Sequence, residues 1–508
     1  MCVSSGPRTP HRLPGARPRA TVRARAPTRR YPGLAFVAAH GPAAPLEGAV
    51  ALQELKLHEI RVVFIASDTL GERIAGPGIR CWELSRVLSR HFQVTLAVPP
   101  ILEAEDATLA EPDFSARIQK CATTSELRKL VDESDVVVTL GAIVAVYPFL
   151  TRIDKALVFD AYDPFLLAGL EQHRHAKPET SLQSYERYLL AHLRALKAAD
   201  FVMCASERQR DYWLGMLSAM GRVNPFTYDG DPCLERLIRV VPFGLPSGEP
   251  KRGLNVIKGV VPGVGVKDRV VLWGGGVWDW FDATTAVKAM SRIAEKRTDV
   301  KLFFMGTKRP NALVAKSSAV DEVVDLSRQL GLSRQVFFND WVPYDDRPSY
   351  LLEADLGLSL HPESAESRFA FRTRFLDYFW AGLPVVATEG DTMSEVVRRS
   401  EVGKLVPPGD DEAVASAILD LLDRPDLKSA WAPRFEALRA TYAWDVAAKP
   451  LVEFCRNPRK ATDKDKPALA RANLIRGFRE WMPARVKEGL SEGALGRIFR
   501  KMKRGTRS

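Results

Sequence analysis

Short apolar runs alternate with helix-period segments from residue 61 onward, and this rhythm constrains the fold more than any other feature of the chain. Residues 61–66, RVVFIA, have no polar face; a loop with Gly71, Gly76, Pro77 and Gly78 follows, and then Ile79, Leu84, Val87 and Leu88 recur at helical spacing. Comparable runs stand at 92–98, 136–140, 156–159 and 201–204, each with a helix-like segment behind it. Strands that are apolar on both sides and joined by helices make a parallel sheet covered on both faces. Residues 239–246, RVVPFGLP, break the rhythm, and the stretch to Gly265 is rich in Gly and Pro. A second series then runs through 270–273, 300–305, 335–338, 356–360 and 384–388, with helical patterns at 283–296, 321–330, 374–381 and 411–422. Residues 434–455 read as helical and are expected to pack back across the boundary.

The expected architecture is α/β, with two Rossmann-like, doubly wound parallel-sheet domains facing a central cleft. Both sets of C-terminal strand ends meet at that cleft, where ligands of such folds bind. The expected division is a disordered basic leader at 1–55, a first domain at 56–248, a second at 249–435, a returning helix at 436–456 and a basic tail at 457–508. The length of 508 residues suits two or three domains at roughly 150 residues each.

The formal net charge of +11 comes from the ends. Residues 1–50 hold 8 Lys/Arg against one acid, and residues 456–508 hold 16 against 5, so the body between them is net negative by 7. Basic charge confined to the tails argues against a nucleic-acid-binding fold. From 485 to 503 the apolar residues fall on one helical face amid six Lys/Arg; the stretch reads either as a helix on an anionic membrane surface or as a disordered tail. The longest uncharged stretch, 136–151, is too short to span a membrane and reads as a buried strand with its turn. Six scattered cysteines without a C-x-x-C pair indicate reduced thiols in a cytoplasmic protein, and no Cys/His spacing suggests a metal. No cofactor and no metal are expected.

The richest stretch is residues 361–387, HPESAESRFAFRTRFLDYFWAGLPVVA. It resembles the donor site of retaining GT-B glycosyltransferases of the family 4 kind, where one acid follows a strand, a second stands eight residues on in a helix, and Ala-x-Gly-x-Pro-Val-Val follows. The resemblance extends loosely over about residues 60–455. It implies a transferase moving a sugar from a nucleotide-sugar to a hydroxyl of a glycan or lipid-linked acceptor, as in cell-envelope polysaccharide synthesis. By the resemblance, Glu366 holds sugar hydroxyls and Asp377 accepts from the ribose diol. Departure of the nucleoside diphosphate passes through an oxocarbenium-like state, and the acceptor hydroxyl attacks the same face.

Two departures stand out. The acids are 11 residues apart, so three extra residues must bulge between them, and the Arg and Lys that usually follow the first strand of this domain are replaced by Gly276 and Phe281. Arg372 and Arg374, with Arg368, are therefore expected to meet the phosphates, while Gly274, Gly275 and Gly276 let the backbone approach them. Trp278, Trp280 and Phe281 are either core packing or a donor-facing wall. In the first domain, residues 75–80, AGPGIR, resemble the family's glycine loop and place Gly78 at the donor and Arg80 at the acceptor. Residues 160–164, DAYDP, end a strand where a histidine often stands near the reacting carbon; Tyr162 takes its place, and Asp160 and Asp163 either orient the acceptor or, for Asp163, cap a turn. Ser206 and Arg208 belong either to an acceptor wall or, for Ser206, to a helix cap. The expected roles are therefore catalytic for Glu366, Arg372 and Asp163; donor-binding for Gly78, Gly274, Gly275, Gly276, Arg368, Arg374 and Asp377; and acceptor-binding for Arg80, Asp160, Tyr162, Ser206 and Arg208. The alternatives are a sugar-nucleotide epimerase or phosphorylase of the same fold, and a catalytically degenerate binding protein.

Overall fold

The apolar runs become strands because each lacks a polar face and can only be buried from both sides. The computed structural model describes residues 59–71, 74–102, 114–174, 176–308 and 318–464. The first sheet contains β1 (Arg61–Ile65), β2 (Gln93–Val98), β3 (Arg117–Lys120), β4 (Val136–Leu140), β5 (Ala156–Asp160), β6 (Phe201–Cys204) and β7 (Ile238–Val240). The second contains β8 (Arg269–Gly276), β9 (Val300–Gly306), β10 (Val336–Phe338), β11 (Leu356–Ser359), β12 (Val385–Thr388) and β13 (Gly403–Val406). The orders are β3-β2-β1-β4-β5-β6-β7 and β10-β9-β8-β11-β12-β13, and the paired strands run parallel throughout. Strand order reverses beside β1 in the first sheet and beside β8 in the second, which opens a crevice at the C-terminal ends of those strands.

The central strands β4, β5, β9 and β11 are buried along their whole length, as their Val, Leu and Phe content requires. Three strands escape the apolar-run reading, β3, β7 and β13. All lie at sheet edges, where half the surface meets solvent and polar residues such as Gln119, Arg239 and Lys404 enter the strand.

The chain leaves the first domain and returns along one seam. Leu245 donates its N–H to the Tyr442 carbonyl at 2.8 Å, and Trp444 donates back to Leu245. Gly244 is required there, because a Cβ would stand 2.5 Å from the Trp444 ring. The single returning helix expected at 436–456 is three helices, Leu427–Tyr442, Trp444–Ala447 and Lys449–Arg456. The last of them stacks Phe454 on Phe201 of β6 at 4.7 Å. The expected tail also begins later than residue 457: Asp463 pairs with Arg222 at 2.7 Å and Lys464 with Asp200 at 2.8 Å, which holds this segment against the first domain. The leader and the amphipathic stretch at 485–503 lie outside the described residues.

Candidate functional site

The second domain's side of the crevice is built from the end of β8. The strand closes on Gly274, Gly275 and Gly276, with Gly275 at φ +75°, a conformation glycine adopts without strain. Behind the turn lies the fully buried Tyr378, on the helix Arg374–Trp380. Its hydroxyl accepts from the Gly274 N–H at 2.8 Å and donates to the Leu358 carbonyl at 2.8 Å. A Cβ on Gly274 would come within 3.0 Å of this ring, and one on Gly357 within 2.5 Å. The WAGLP-containing segment and the glycine turn are thus one packed unit. Tyr378→Phe leaves the Gly274 N–H without its acceptor and is expected to cost about 1–3 kcal/mol, read as a lower urea midpoint.

Arg374 opens that helix beneath the turn. It donates from Nη2 to the Gly276 carbonyl at 2.9 Å, and its guanidinium lies 3.8 Å from the Phe281 ring centroid and 4.7 Å from that of Trp273. Burial lowers its pKa to about 10, which leaves it cationic at neutral pH, and Nη1 has no hydrogen-bond partner. One turn on, Asp377 accepts from Arg347 Nη1 at 3.1 Å. Burial raises the Asp377 pKa against the pull of Arg347 and Arg374. Arg347 itself packs over the Tyr344 ring at 4.1 Å. It begins the helix Arg347–Glu353, far in sequence from the other site residues, and no motif marks it.

The longer stretch between the acids is taken up by a short helix, Ala365–Phe369, which carries Glu366, and by the segment after it, which turns Arg372 back onto Glu366. Two parallel bonds join them, Nη1 to Oε1 at 2.9 Å and Nη2 to Oε2, and both side chains are buried. The expectation that Arg372 is a phosphate cation is therefore corrected: both of its terminal nitrogens are held by Glu366, and the pair is a neutral unit in the wall.

Tyr162 and Asp163 face this wall from the first domain. Asp163 follows β5, and its carboxylate has no hydrogen-bond partner among the described residues. Burial, reinforced by the charge of Glu366 and opposed by Arg372, raises its pKa to about 7. The two sides enclose a cavity of about 360 Å³, whose lining includes residues 274–276, Arg374, Asp377 and Asp163. Trp278 and Trp280 also line it, stacked at 5.4 Å with 8° between their planes.

Six expected residues stand elsewhere. Gly78 packs inward, where a Cβ would collide with the Thr69 carbonyl at 2.5 Å; Gly76 and Pro77 line the cavity instead. Arg80 is fully buried, bound to Asp160 at 2.6 and 3.0 Å and to the carbonyls of Val241 and Pro242, so neither Arg80 nor Asp160 is presented to an acceptor. Ser206 caps the helix Glu207–Ala219 by accepting from the Gln209 N–H. Arg368 lines a different cavity together with Arg208, which donates to the Gly390 carbonyl at 2.6 Å. Among the described residues, no group of three or more His, Cys, Asp or Glu is placed to hold a metal ion.

Residues 268–424 match the family described as glycosyl transferases group 1. A phosphatidyl-myo-inositol mannosyltransferase of Mycobacterium leprae is 42% identical over 73 residues, 14% of this chain and 19% of that protein. A D-inositol 3-phosphate glycosyltransferase of Corynebacterium urealyticum is 33% identical over 133 residues, 26% of this chain and 30% of that protein. The chain thus spans less than a third of these curated relatives' length. Among solved structures, sucrose-phosphate synthase from Thermosynechococcus elongatus superposes with a TM-score of 0.56 at 17% identity, covering 78% of this chain and 98% of that one. Anabaena Alr3699/HepE in complex with UDP-glucose gives 0.54 at 17% identity, covering 78% and 99%.

Proposed function

We propose that this chain, which has the GT-B fold and carries a glycosyl transferases group 1 domain, is a glycosyltransferase that moves a sugar from a nucleotide-sugar to an acceptor hydroxyl with retention of configuration. One observation carries the reading: Arg374, a buried arginine with an unpartnered Nη1, stands one helical turn from the Asp377 carboxylate and beside a glycine turn that leaves open space at Gly275. A sugar nucleotide needs that combination, an anion partner for its phosphates and an acceptor for its ribose diol. The solved neighbour named as a UDP-glucose complex supports the donor class, and the two curated relatives' names support a hydroxyl acceptor.

In this reading the phosphate oxygens meet Arg374 Nη1 and the backbone at Gly275. Negative charge that builds on the departing diphosphate is stabilised there by a cation already desolvated and fixed by Phe281, Trp273 and the Gly276 carbonyl. Asp377, oriented by Arg347, accepts from the ribose hydroxyls. Glu366, neutralised by Arg372, faces the sugar without placing a bare carboxylate beside the phosphates. Asp163 takes a hydrogen bond from the acceptor hydroxyl and draws off its proton as the new glycosidic bond forms. The cationic role falls to arginine, and the reaction is proposed to need no metal. The acceptor is proposed to be a glycan or lipid-linked glycan, reached in the cytoplasm; no helix among the described residues is long and apolar enough to cross a membrane.

The Asp163 role carries a pH signature. A carboxyl with a pKa of about 7 is mostly protonated below that value and cannot accept, so kcat/KM is expected to fall by about tenfold per pH unit below 7 and to level off above it. Asp163→Asn is expected to flatten that limb. A rate that instead rises with acidity would assign Asp163 as a proton donor. The reading as a whole is tested by release of nucleoside diphosphate from a panel of UDP-, GDP-, ADP- and dTDP-sugars, with the product's anomeric configuration read by NMR. Release that depends on an acceptor alcohol and gives a retained linkage is expected; conversion of the donor alone, without acceptor dependence, would point to an epimerase.

A further inference from the structure

A second cavity, of about 520 Å³, lies across the helix Ala365–Phe369 from the first. That helix is a shared wall: Glu366 lines the first cavity, while Arg368 and Phe369 line the second. Opposite them stand Arg208 and Tyr212 of the first domain's helix Glu207–Ala219, with His361 and Glu363 from the turn after β11. The Tyr212 and Phe369 rings lie 5.1 Å apart at 42°. His361 is only 1% exposed, and its Nε2 has no hydrogen-bond partner; the nearest carboxylate oxygen, Asp391 Oδ2, is 3.5 Å away and is itself without one.

We infer that this cavity is a carbohydrate subsite, which takes a distal ring of an extended acceptor glycan. The inference rests on the glycosyltransferase reading of the neighbouring cavity and adds that the acceptor is an oligosaccharide gripped at a ring beyond the reacting one. A sugar ring presents C–H faces and a rim of hydroxyls that donate and accept. Tyr212 and Phe369 offer flat apolar surface for the first. Glu363 and Asp211 accept from the second, and Arg208 and Arg368 meet it with complementary chemistry. The charge balance does not favour an anion: Asp211 and Glu363 face Arg208 and Arg368, and Glu389 is engaged by Arg398 at 3.2 Å, so the lining carries no net positive charge to draw a phosphate, whereas a neutral polyol finds partners of both kinds. A helix with its side chains is about 10–12 Å across. An occupant of the second cavity therefore connects to a hydroxyl in the first only as part of a chain of sugars. Its contacts fall on the same helix that carries Glu366, so occupancy bears directly on that side of the reacting centre.

The test is saturation-transfer NMR on the full chain, without donor, using methyl mono-, di- and trisaccharides of α-glucose and α-mannose. Affinity is expected to rise by about tenfold from mono- to trisaccharide in at least one series, and Tyr212→Ala is expected to remove that gain. Glu363→Lys, at an exposed position with no packing role, repeats the test without risk to the fold and is expected to weaken the trisaccharide likewise. Equal affinity across chain lengths, or variants that keep the gain, would overturn the subsite. Displacement of the trisaccharide by inorganic phosphate would overturn the choice of a neutral ligand. Because no donor is present, saccharide binding here and donor binding in the first cavity fail independently: a chain that binds trisaccharide but no nucleotide-sugar keeps this subsite and loses the transferase reading.

Discussion

Replacing Arg374 with Ala is expected to lower kcat/KM by about 10²–10³-fold, the loss that follows removal of one preorganised charge stabiliser. The residue is buried, stacked on Phe281 and fixed by the Gly276 carbonyl, so its free Nη1 is held in place before any ligand arrives. Arg374→Ala also strands the Gly276 carbonyl, so Arg374→Lys is the companion variant. Lysine keeps the charge but cannot donate from two fixed nitrogens at once, and it is expected to recover part of the activity. Arg372→Ala provides the contrast. It leaves Glu366 buried and unpaired, and its main effect is expected in the unfolding midpoint. Wild-type turnover in Arg374→Ala would remove the phosphate assignment.

Asp160→Ala is expected to destabilise the first domain by about 3–5 kcal/mol, because it leaves the Arg80 guanidinium buried without its counter-charge. Arg80 joins three parts of the fold: the end of β5 through Asp160, and the Val241 and Pro242 carbonyls where the chain departs for the second domain. Its guanidinium also lies 5.3 Å from the Tyr162 ring centroid and 4.9 Å from that of Phe243, both on the cavity wall. The measurement is a urea titration followed by tryptophan fluorescence, for which Trp213, buried in the first domain, is a reporter. A shift below about 1 kcal/mol would mean that water reaches the pair.

Much of this architecture was legible because its signals are local. Apolar runs without a polar face marked ten of the strands, and the WAGLPVVA segment marked the helix-to-strand unit in which Tyr378 and Asp377 sit. Edge strands β3, β7 and β13 were not legible, since a half-solvated strand admits charged residues and loses the run. Within the site, the distinction between a cation that is free and one already engaged depends on contacts across the fold. Arg80, Arg372 and Arg374 look alike in sequence; the first meets Asp160 80 positions away, the second turns both terminal nitrogens onto Glu366, and the third keeps a terminal nitrogen, Nη1, without a partner. Arg347, at a helix start, and Trp341, in a loop, entered the site with no motif to announce them.

The central claim is that the cavity between the glycine turn and Asp163 binds a nucleotide-sugar. It is tested most directly by thermal unfolding of the full chain against UDP-, GDP-, ADP- and dTDP-sugars. A ligand at 100 times its Kd stabilises the fold by about 2.7 kcal/mol, so one nucleotide class is expected to raise Tm by several degrees and to lose that effect in Arg374→Ala. A folded protein whose Tm is unmoved by every donor in the panel would contradict the account.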